Sequence, residues 1–366
     1  MNVLITGGCG FIGSHTADRL IEEGHVVTIL DKLTKPVHQD GIPSYMNDKC
    51  EIIVGDVNDR ETLLNAMRGV DAIYHLAAFQ DYLPTFSKFI DVNVTSTALI
   101  YELILEYNLP IKKVIIASSQ AVLGEGLYSD MEGGRFVPSM RTEEQLQSGY
   151  FEHGKDYRWL PTPEKYTNPQ NPYGMSKLFE ETYALNLGKR YGIPTVALRY
   201  SIVQGSRQSF YNAYSGACRI FCLSFHQGIG PTIYEDGNQV RDFVNIHDVV
   251  DANLTVLYDE RADYEAFNVG AGKAISVMDF ALIVANIYGF HDYDPTPCAK
   301  YRFGDTRHIC SDITKLKELG WKPTRSVYDS VTEYKSWLDK ADNVDSIIEY
   351  CNEKMKEMNV VRDIND

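Results

Sequence analysis

The chain has 366 residues, 44% hydrophobic and 23% charged, a composition that excludes a disordered polypeptide and, at roughly 150 residues per domain, suggests about two domains. Lys and Arg number 35 against 50 Asp and Glu, a formal net charge of −15. That excludes generic attraction to nucleic acid or an anionic membrane, so an anionic ligand needs a local basic pocket.

The longest apolar runs are strand-sized, far short of the ~20 residues a membrane helix needs. Seven cysteines are scattered from Cys9 to Cys351 and read as free buried thiols, with no disulfide framework and no metal site. Cys218 and Cys222 fall on one apolar helix face. The sequence opens on a strand with no basic, removable apolar segment before it. A reducing, cytoplasmic setting is therefore expected.

In chain order, strand-like and helical patterns alternate: strand 2–6, helix 12–23, strands 26–31 and 51–54, helix 60–67, strand 72–75, helix 90–107 and strand 113–118. Strands without polar alternation, each followed by a helix, predict a parallel sheet covered on both faces, a doubly wound α/β (Rossmann) fold. Residues 124–170 break this pattern with a polar insertion too long for a simple connection. A long helix over 172–191 and a strand over 195–201 restore it. Beyond them come a helix near 213–227, a Gly-containing turn at 235–238, a strand near Phe243, and helices at 277–288 and 312–319. The expected organisation is a cofactor-binding domain over 1–200, to which 238–270 return, a smaller α/β substrate domain over 201–340, and a charged, solvated helical tail over 341–366.

Residues 6–13 read TGGCGFIG, placing Gly7, Gly10 and Gly13 between a strand and a helix. The first permits a tight turn, the second lets a pyrophosphate approach the backbone, and the third lets the helix pack on the strand. The helix N-terminus then offers amides and a positive dipole end to phosphate. Asp31 ends the next strand, where a carboxylate accepts from both ribose hydroxyls and repels a 2′-phosphate, predicting NAD rather than NADP. Asp56, after the third strand, reads equally as an acceptor for the adenine amino group or as a helix cap.

Tyr173 and Lys177 stand four apart at a helix start marked by Pro172, so their side chains share a face. The same spacing recurs at Tyr45/Lys49 and Tyr350/Lys354; placement after the Ser118-Ser119 strand end singles out Tyr173. A phenol of reference pKa near 10 is a poor base at neutral pH. An ammonium at ~4 Å contributes on the order of 4 kcal/mol at an effective dielectric of about 20, about three pKa units before desolvation is subtracted. Such a phenolate can take a proton from a hydroxyl whose carbon gives hydride to a nicotinamide, with Ser119 holding the same oxygen.

The chain resembles the extended short-chain dehydrogenase/reductases, specifically the nucleotide-sugar epimerases and dehydratases of the UDP-glucose 4-epimerase type. The likeness spans about residues 1–340 and rests on TGGCGFIGSH, GDV at 55–57, HLAA at 75–78, Asn93, ASSQAVLG at 117–124, NPYGMSK at 171–177, LRY at 198–200, VRDFVNIHDV at 240–249, FNVG at 267–270 and RFGDTRH at 302–308. It implies a catalytic Ser119, Tyr173 and Lys177. It implies NAD contacts from Gly7, Gly10, Phe11, Ile12, Gly13, Asp31, Asp56, Val57, Ala77, Ala78, Asn93, Ser118, Tyr173 and Lys177. Arg241 and Arg302 would bind the substrate's diphosphate, Asp305 its ribose, and Gln80 and Asn212 would join the substrate site. It also implies a homodimer through the helices 90–107 and 172–191.

The family's 4,6-dehydratases carry an Asp-Glu pair directly after the catalytic hydroxyl residue, and its glucuronate decarboxylases a Glu at the second of these positions; here they are Gln120 and Ala121. The implied reaction is C4 epimerisation through a transient 4-keto sugar. A dehydratase or decarboxylase is the alternative, and a non-catalytic NAD-binding sensor or scaffold the competing class. The chain departs from the family with Ile202 where an Asn is usual, Leu123 where a Tyr is usual, and the long 124–170 insertion. UDP-galactose and dTDP-rhamnose chemistry both remain open.

Overall fold

The uninterrupted apolar runs become the centre of the molecule because residues alternating between two faces can all be buried only when both faces are covered. The computed structural model describes residues 1–81, 84–211, 216–341, 347, 353 and 361–364. In chain order it contains β1 (Asn2–Thr6), α1 (Phe11–Glu22), β2 (Val26–Asp31), β3 (Glu51–Val54), α2 (Arg60–Met67), β4 (Ala72–His75), α3 (Phe86–Phe89), a π turn (Ile90–Thr95), α4 (Ser96–Glu106) and β5 (Lys113–Ser119). A 3-10 turn (Gln120–Leu123) leads to β6 (Leu127–Ser129), β7 (Arg135–Phe136), α5 (Glu143–Gln147) and β8 (Arg158–Leu160). There follow α6 (Pro172–Tyr191), β9 (Thr195–Tyr200), β10 (Ile202–Gln204), α7 (Ala217–His226), β11 (Val240–Asn245) and α8 (Ile246–Tyr258). The chain continues through β12 (Glu265–Val269), β13 (Ala274–Ser276), α9 (Val277–Ile287), β14 (Lys300–Arg302), α10 (Thr314–Glu318), α11 (Val327–Leu338) and β15 (Val361–Asp363).

Seven strands form one parallel sheet in the order β12-β9-β5-β4-β1-β2-β3. The predicted doubly wound sheet is therefore present, with β12 as an edge strand that sequence pattern alone did not separate. Val3, Ile5, Val27 and Ile29 pack with Ala17 and Leu20 of α1 and Val249 and Val256 of α8. On the other face Leu4, Leu30, Ile73 and Ile116 pack with Leu63 and Met67 of α2, Ile100 and Leu103 of α4, and Ala184 of α6. Strand order reverses direction at β1, between β4 and β2, and a crevice outside the C-terminal strand ends is where ligands bind in such sheets.

A second cluster joins α7, α9 and α11 over Phe243 of β11. Cys218 and Cys222 are buried within it, their sulfurs 3.9 Å apart, and all six described cysteines are free. Among the described residues no helix is long and apolar enough to cross a membrane, and no group of three or more His, Cys, Asp or Glu could hold a metal ion.

Three expectations change. The insertion is not irregular: β6 pairs antiparallel with β7 and β8, and Leu127, Tyr128, Leu146 and Phe151 are buried. These strands are two or three residues long, too short to leave a periodic signal. The helix expected over 90–107 begins earlier, at Phe86, and is continued through the π turn. The tail does not end as a solvated helix, since β15 pairs antiparallel with β14 and Asp363 bridges Lys300 at 2.7 Å. Most of the remaining tail, Cys351 included, lies outside the described residues.

Candidate functional site

Gly7 has φ +67°, and a Cβ there would lie 2.7 Å from the Ala77 amide nitrogen; a Cβ on Gly13 would lie 2.6 Å from the Gly7 carbonyl oxygen. Glycine is thus required where β1 turns and where α1 approaches that turn. Gly10 caps α1 without any side-chain hydrogen bond, and no acidic residue stands in its first turn. The first-turn amides beside Phe11 and Ile12 are left to an anion, and a first turn without acidic residues suits a pyrophosphate.

Asp31 is buried at the end of β2, where Oδ2 accepts from the Cys9 amide at 3.0 Å and Oδ1 from the Leu33 amide at 2.9 Å. The carboxylate is held beside the glycine turn, as a ribose acceptor requires. Asp56 is not a helix cap: Asp59 caps α2 through Thr62, whereas Asp56 accepts from the Asn58 amide at 3.0 Å and from Lys32 at 2.5 Å. Those contacts hold its carboxyl below the usual range even though burial works upward. Val57 is buried beside it, Ala77 follows β4 against Gly7, and Ala78 after it is exposed. These groups fit a dinucleotide.

Two residues of the predicted cofactor set spend their side chains on the protein. Asn93 Oδ1 accepts from the Phe79 amide at 2.7 Å, and its Nδ2 donates to the Phe79 carbonyl and to Ser176 Oγ. It ties the segment after β4 to α6. Ser118 donates to Glu181 at 2.7 Å, and Glu181 receives Arg199 through both of its oxygens. This fork locks α6 onto β5 and β9 and fixes the helix that carries Tyr173.

Asn171 caps α6 by accepting from the Gly174 amide, with Pro172 in the first turn. The helix begins one residue before Tyr173, placing the phenol beside Ser119 at the end of β5. Ser119 hydrogen-bonds the phenol and Lys177 lies within its field. Both lower the phenol's pKa, but burial is the larger influence and the net direction is upward from 10. Lys177 alone therefore does not make Tyr173 acidic: the desolvation still to be subtracted from the sequence-based figure is the larger influence.

Lys177 is itself buried, its Nζ donating to the Ala117 carbonyl at 2.7 Å and to Glu180 Oε2 at 2.8 Å. Glu180 was missed in the sequence, where its signal was a carboxylate three residues after the lysine on the same helix face. Buried His75 beneath, bonded to Thr6 and Ser96, is pushed by burial and by Lys177 to about 3 and is neutral.

Gln120 and Ala121, directly after Ser119, supply no acid or base. The Gln120 amide is buried and donates to Ser201 Oγ at 3.1 Å and Ser311 Oγ at 3.0 Å. Leu123 is buried among Val122 and Ile309. Gln80 is half-buried in the segment after β4. Asn212 lies outside the described residues.

Arg241, Arg302 and Asp305 come together. Asp305 lies 3.5 Å from Arg241 and 4.0 Å from Arg302. Burial works to raise its carboxyl, but Arg302, Arg241 and Arg141 hold it below the usual range. The insertion reaches the same place: Arg141 donates to the Asp305 carbonyl at 2.7 Å and bridges Glu235 at 2.9 Å. Fully buried Arg307 binds Glu152 of the insertion together with Glu235 and Asp236. The 124–170 segment is thus stitched by charge to the loops around Arg241 and Arg302.

The model of the NAD dependent epimerase/dehydratase family matches residues 3–270. The chain belongs to that family. It is similar to the dTDP-L-rhamnose 4-epimerase of Burkholderia thailandensis, 32% identical over 92% of this chain and 94% of that protein. It is also similar to the crystal structure of the UDP-glucose 4-epimerase of Thermotoga maritima with UDP-glucose, at TM-score 0.75 and 30% identity, covering 93% of this chain and 99% of the other. The UDP-glucose 4-epimerase of Thermus thermophilus in complex with NAD superimposes with TM-score 0.72 at 25% identity, covering 93% and 100%.

Proposed function

We propose that this member of the family is a nucleotide-sugar 4-epimerase working through a transient 4-keto sugar. The observation that carries this reading is Ser119, Tyr173 and Lys177 gathered at the end of β5 with no acid or base at Gln120 or Ala121. Elimination of water, or loss of a carboxylate assisted at those positions, would need a group that neither residue offers. An intact phenol–lysine pair likewise argues against a purely NAD-sensing scaffold.

NAD, when bound, supplies a reversible hydride acceptor. The chain's residues do the rest. Tyr173 takes the proton of the sugar 4′-hydroxyl and returns it, while Ser119 holds the same oxygen. Lys177, and the positive charge the cofactor brings, oppose the burial that raises the phenol. Arg241 and Arg302 bind the diphosphate as the local basic pocket that a chain of net charge −15 requires. Asp305 accepts from the nucleoside ribose, and Gln80 and Asn212 complete the sugar site. The cofactor set is that given by the sequence, with Asn93 and Ser118 acting through their bonds to α6. The relatives point to two substrate classes, UDP-hexoses and dTDP-deoxyhexoses.

The subunit is expected to form a homodimer in the cytoplasm. Phe86, Ile90, Met175, Phe179 and Tyr183 are large, apolar and exposed on the paired α3–α4 and α6 helices, the kind of patch that a second copy would cover.

The deciding experiment incubates the NAD-loaded protein with UDP-galactose and, separately, dTDP-L-rhamnose, and follows the C4 proton by NMR. Inversion at C4 of either sugar supports the reading. A 4-keto-6-deoxy product, a decarboxylated sugar, or no change with either sugar overturns it.

A further inference from the structure

Glu180 is fully buried, and its two oxygens have unequal surroundings: Oε2 takes the Lys177 ammonium at 2.8 Å, while Oε1 has no hydrogen-bond partner among the described residues. Buried carboxylates normally fill both oxygens, because each unfilled acceptor keeps its desolvation cost. A purely structural anchor is also already present one residue on, in the Glu181–Arg199 fork. Glu180 stands in contact with Lys177, the side-chain cation on which the Tyr173 chemistry depends.

The consequences follow from counting donors and charges. An ammonium has three N–H groups; one is used by the Ala117 carbonyl and one by Glu180, leaving one for a ligand or the phenol side. An ionised carboxylate in contact with the ammonium forms a neutral pair whose field at Tyr173 is far weaker than that of Lys177 alone. The phenol responds accordingly: Lys177 lowers its pKa and Glu180 raises it.

We propose that Glu180 is a positioning residue that sets how strongly Lys177 acidifies Tyr173, holding the amine in place and releasing its field when the carboxyl takes up a proton. The proposal rests on Tyr173 being the proton acceptor. Other groups facing Glu180 leave this control to it. On its own helix these are Lys177, Tyr173 and Glu181, the last neutralised by Arg199 of β9. From α4 comes Tyr101, whose hydroxyl is bonded to Thr195 and whose phenol burial raises well above its usual value, so it stays protonated. His75 of β4 interacts with Lys177 and is neutral. Burial pushes the Glu180 carboxyl up to about 7, with Lys177 opposing it, so its charge changes within the working range.

The test compares Glu180→Gln with the unaltered NAD-loaded enzyme. Glutamine keeps an acceptor for Lys177 and cannot ionise, so Tyr173 should lose its proton more readily. The acid limb of the kcat/KM profile should move to lower pH by about one unit, a tenfold gain in phenolate at fixed pH. An unmoved limb, or one displaced to higher pH, overturns the proposal. A second measurement reads the phenol directly: the phenolate absorbance difference between the enzyme and its Tyr173→Phe variant, followed against pH with Glu180 intact and again with Glu180→Gln in both. The midpoint should fall by about one unit in the Glu180→Gln background, and an unmoved or raised midpoint overturns the proposal. Full turnover in Tyr173→Phe would instead remove the underlying assignment of the base, so the two failures are distinguishable.

Discussion

At Tyr173 two opposing influences meet, and burial outweighs both Lys177 and Ser119. Replacing the ring by Phe removes the proposed proton acceptor and should lower kcat by about 10²–10⁴-fold, the usual worth of a general base, with NAD binding retained; stopped assays with a C4-labelled sugar measure it. Gly13→Ala should act differently. Its Cβ would meet the Gly7 carbonyl and the Gly8 backbone, both at 2.6 Å, forcing α1 away from the turn. NAD affinity should fall at least about tenfold by titration calorimetry, equivalent to about 1.4 kcal/mol. At this scale the sequence was informative where one residue type has one physical use: the glycines, Asp31, and the Tyr–Lys spacing. It was silent where a side chain's meaning depends on a distant partner. Asn93 meets Ser176 across 83 positions, Ser118 meets Glu181 across 63, and no local pattern carries such a pairing.

Among the elements, the insertion is the one whose role changed most. Its helix and three short strands are held to the 235–236 turn and the 305–308 segment by Arg141 and Arg307, which share Glu235. Glu235 adopts φ +54°, a left-handed conformation uncommon in residues other than glycine, asparagine or aspartate. The two buried guanidiniums hold it there. Arg307→Met would leave Glu235 with one cation and Glu152 and Asp236 with none from this group. Breaking a buried pair on one side costs about 3–5 kcal/mol, and urea unfolding should show a loss of that order. Because Arg241 donates to the Arg307 carbonyl at 3.1 Å, KM for the nucleotide sugar should rise more than kcat falls. The parallel strands were legible as continuous apolar runs. By contrast, β6 to β8 carry Arg, Ser and Tyr in runs too brief to show a period, so the insertion read as irregular.

For the whole molecule, buried titratable groups set the pH dependence of stability. Glu152 and Glu333 are pushed down to about 2: burial works upward on both, but His308 and Arg307 outweigh it at Glu152, and His247 and Ser206 at Glu333. Their contribution is complete above the unfolded value near 4.5 and is lost as pH falls toward 2. His15 and His75, lowered chiefly by burial to about 4 and about 3, bind protons only when unfolded over the interval up to 6.5, so they too make stability rise with pH. Glu180 and Asp242, raised chiefly by burial to about 7 and about 6, retain protons in the fold after the unfolded chain has lost them. From about pH 4 upward they make stability fall. Thermal midpoints should therefore climb from pH 2 to about 4.5 and then flatten to about 6.5, where the two sets oppose each other. Glu180→Gln should restore an upward slope across that flat interval, and differential scanning calorimetry between pH 3 and 8 would read it. The parallel sheet and the two-faced core followed from sequence pattern. The contact between the last strand and β14 did not, because a three-residue strand after a charged stretch resembles any polar end.

That last contact bears on the order in which the protein is made. Arg302 sits on β14, whose partner strand β15 arrives about sixty residues later in synthesis. A nascent chain on the ribosome can close its parallel sheet once Val269 has emerged. The strand bearing Arg302 must wait, lacking its antiparallel neighbour, until residues 361–363 have emerged as well. Pulse-chase proteolysis of stalled chains should find the segment around Arg302 becoming resistant after the parallel sheet has done so.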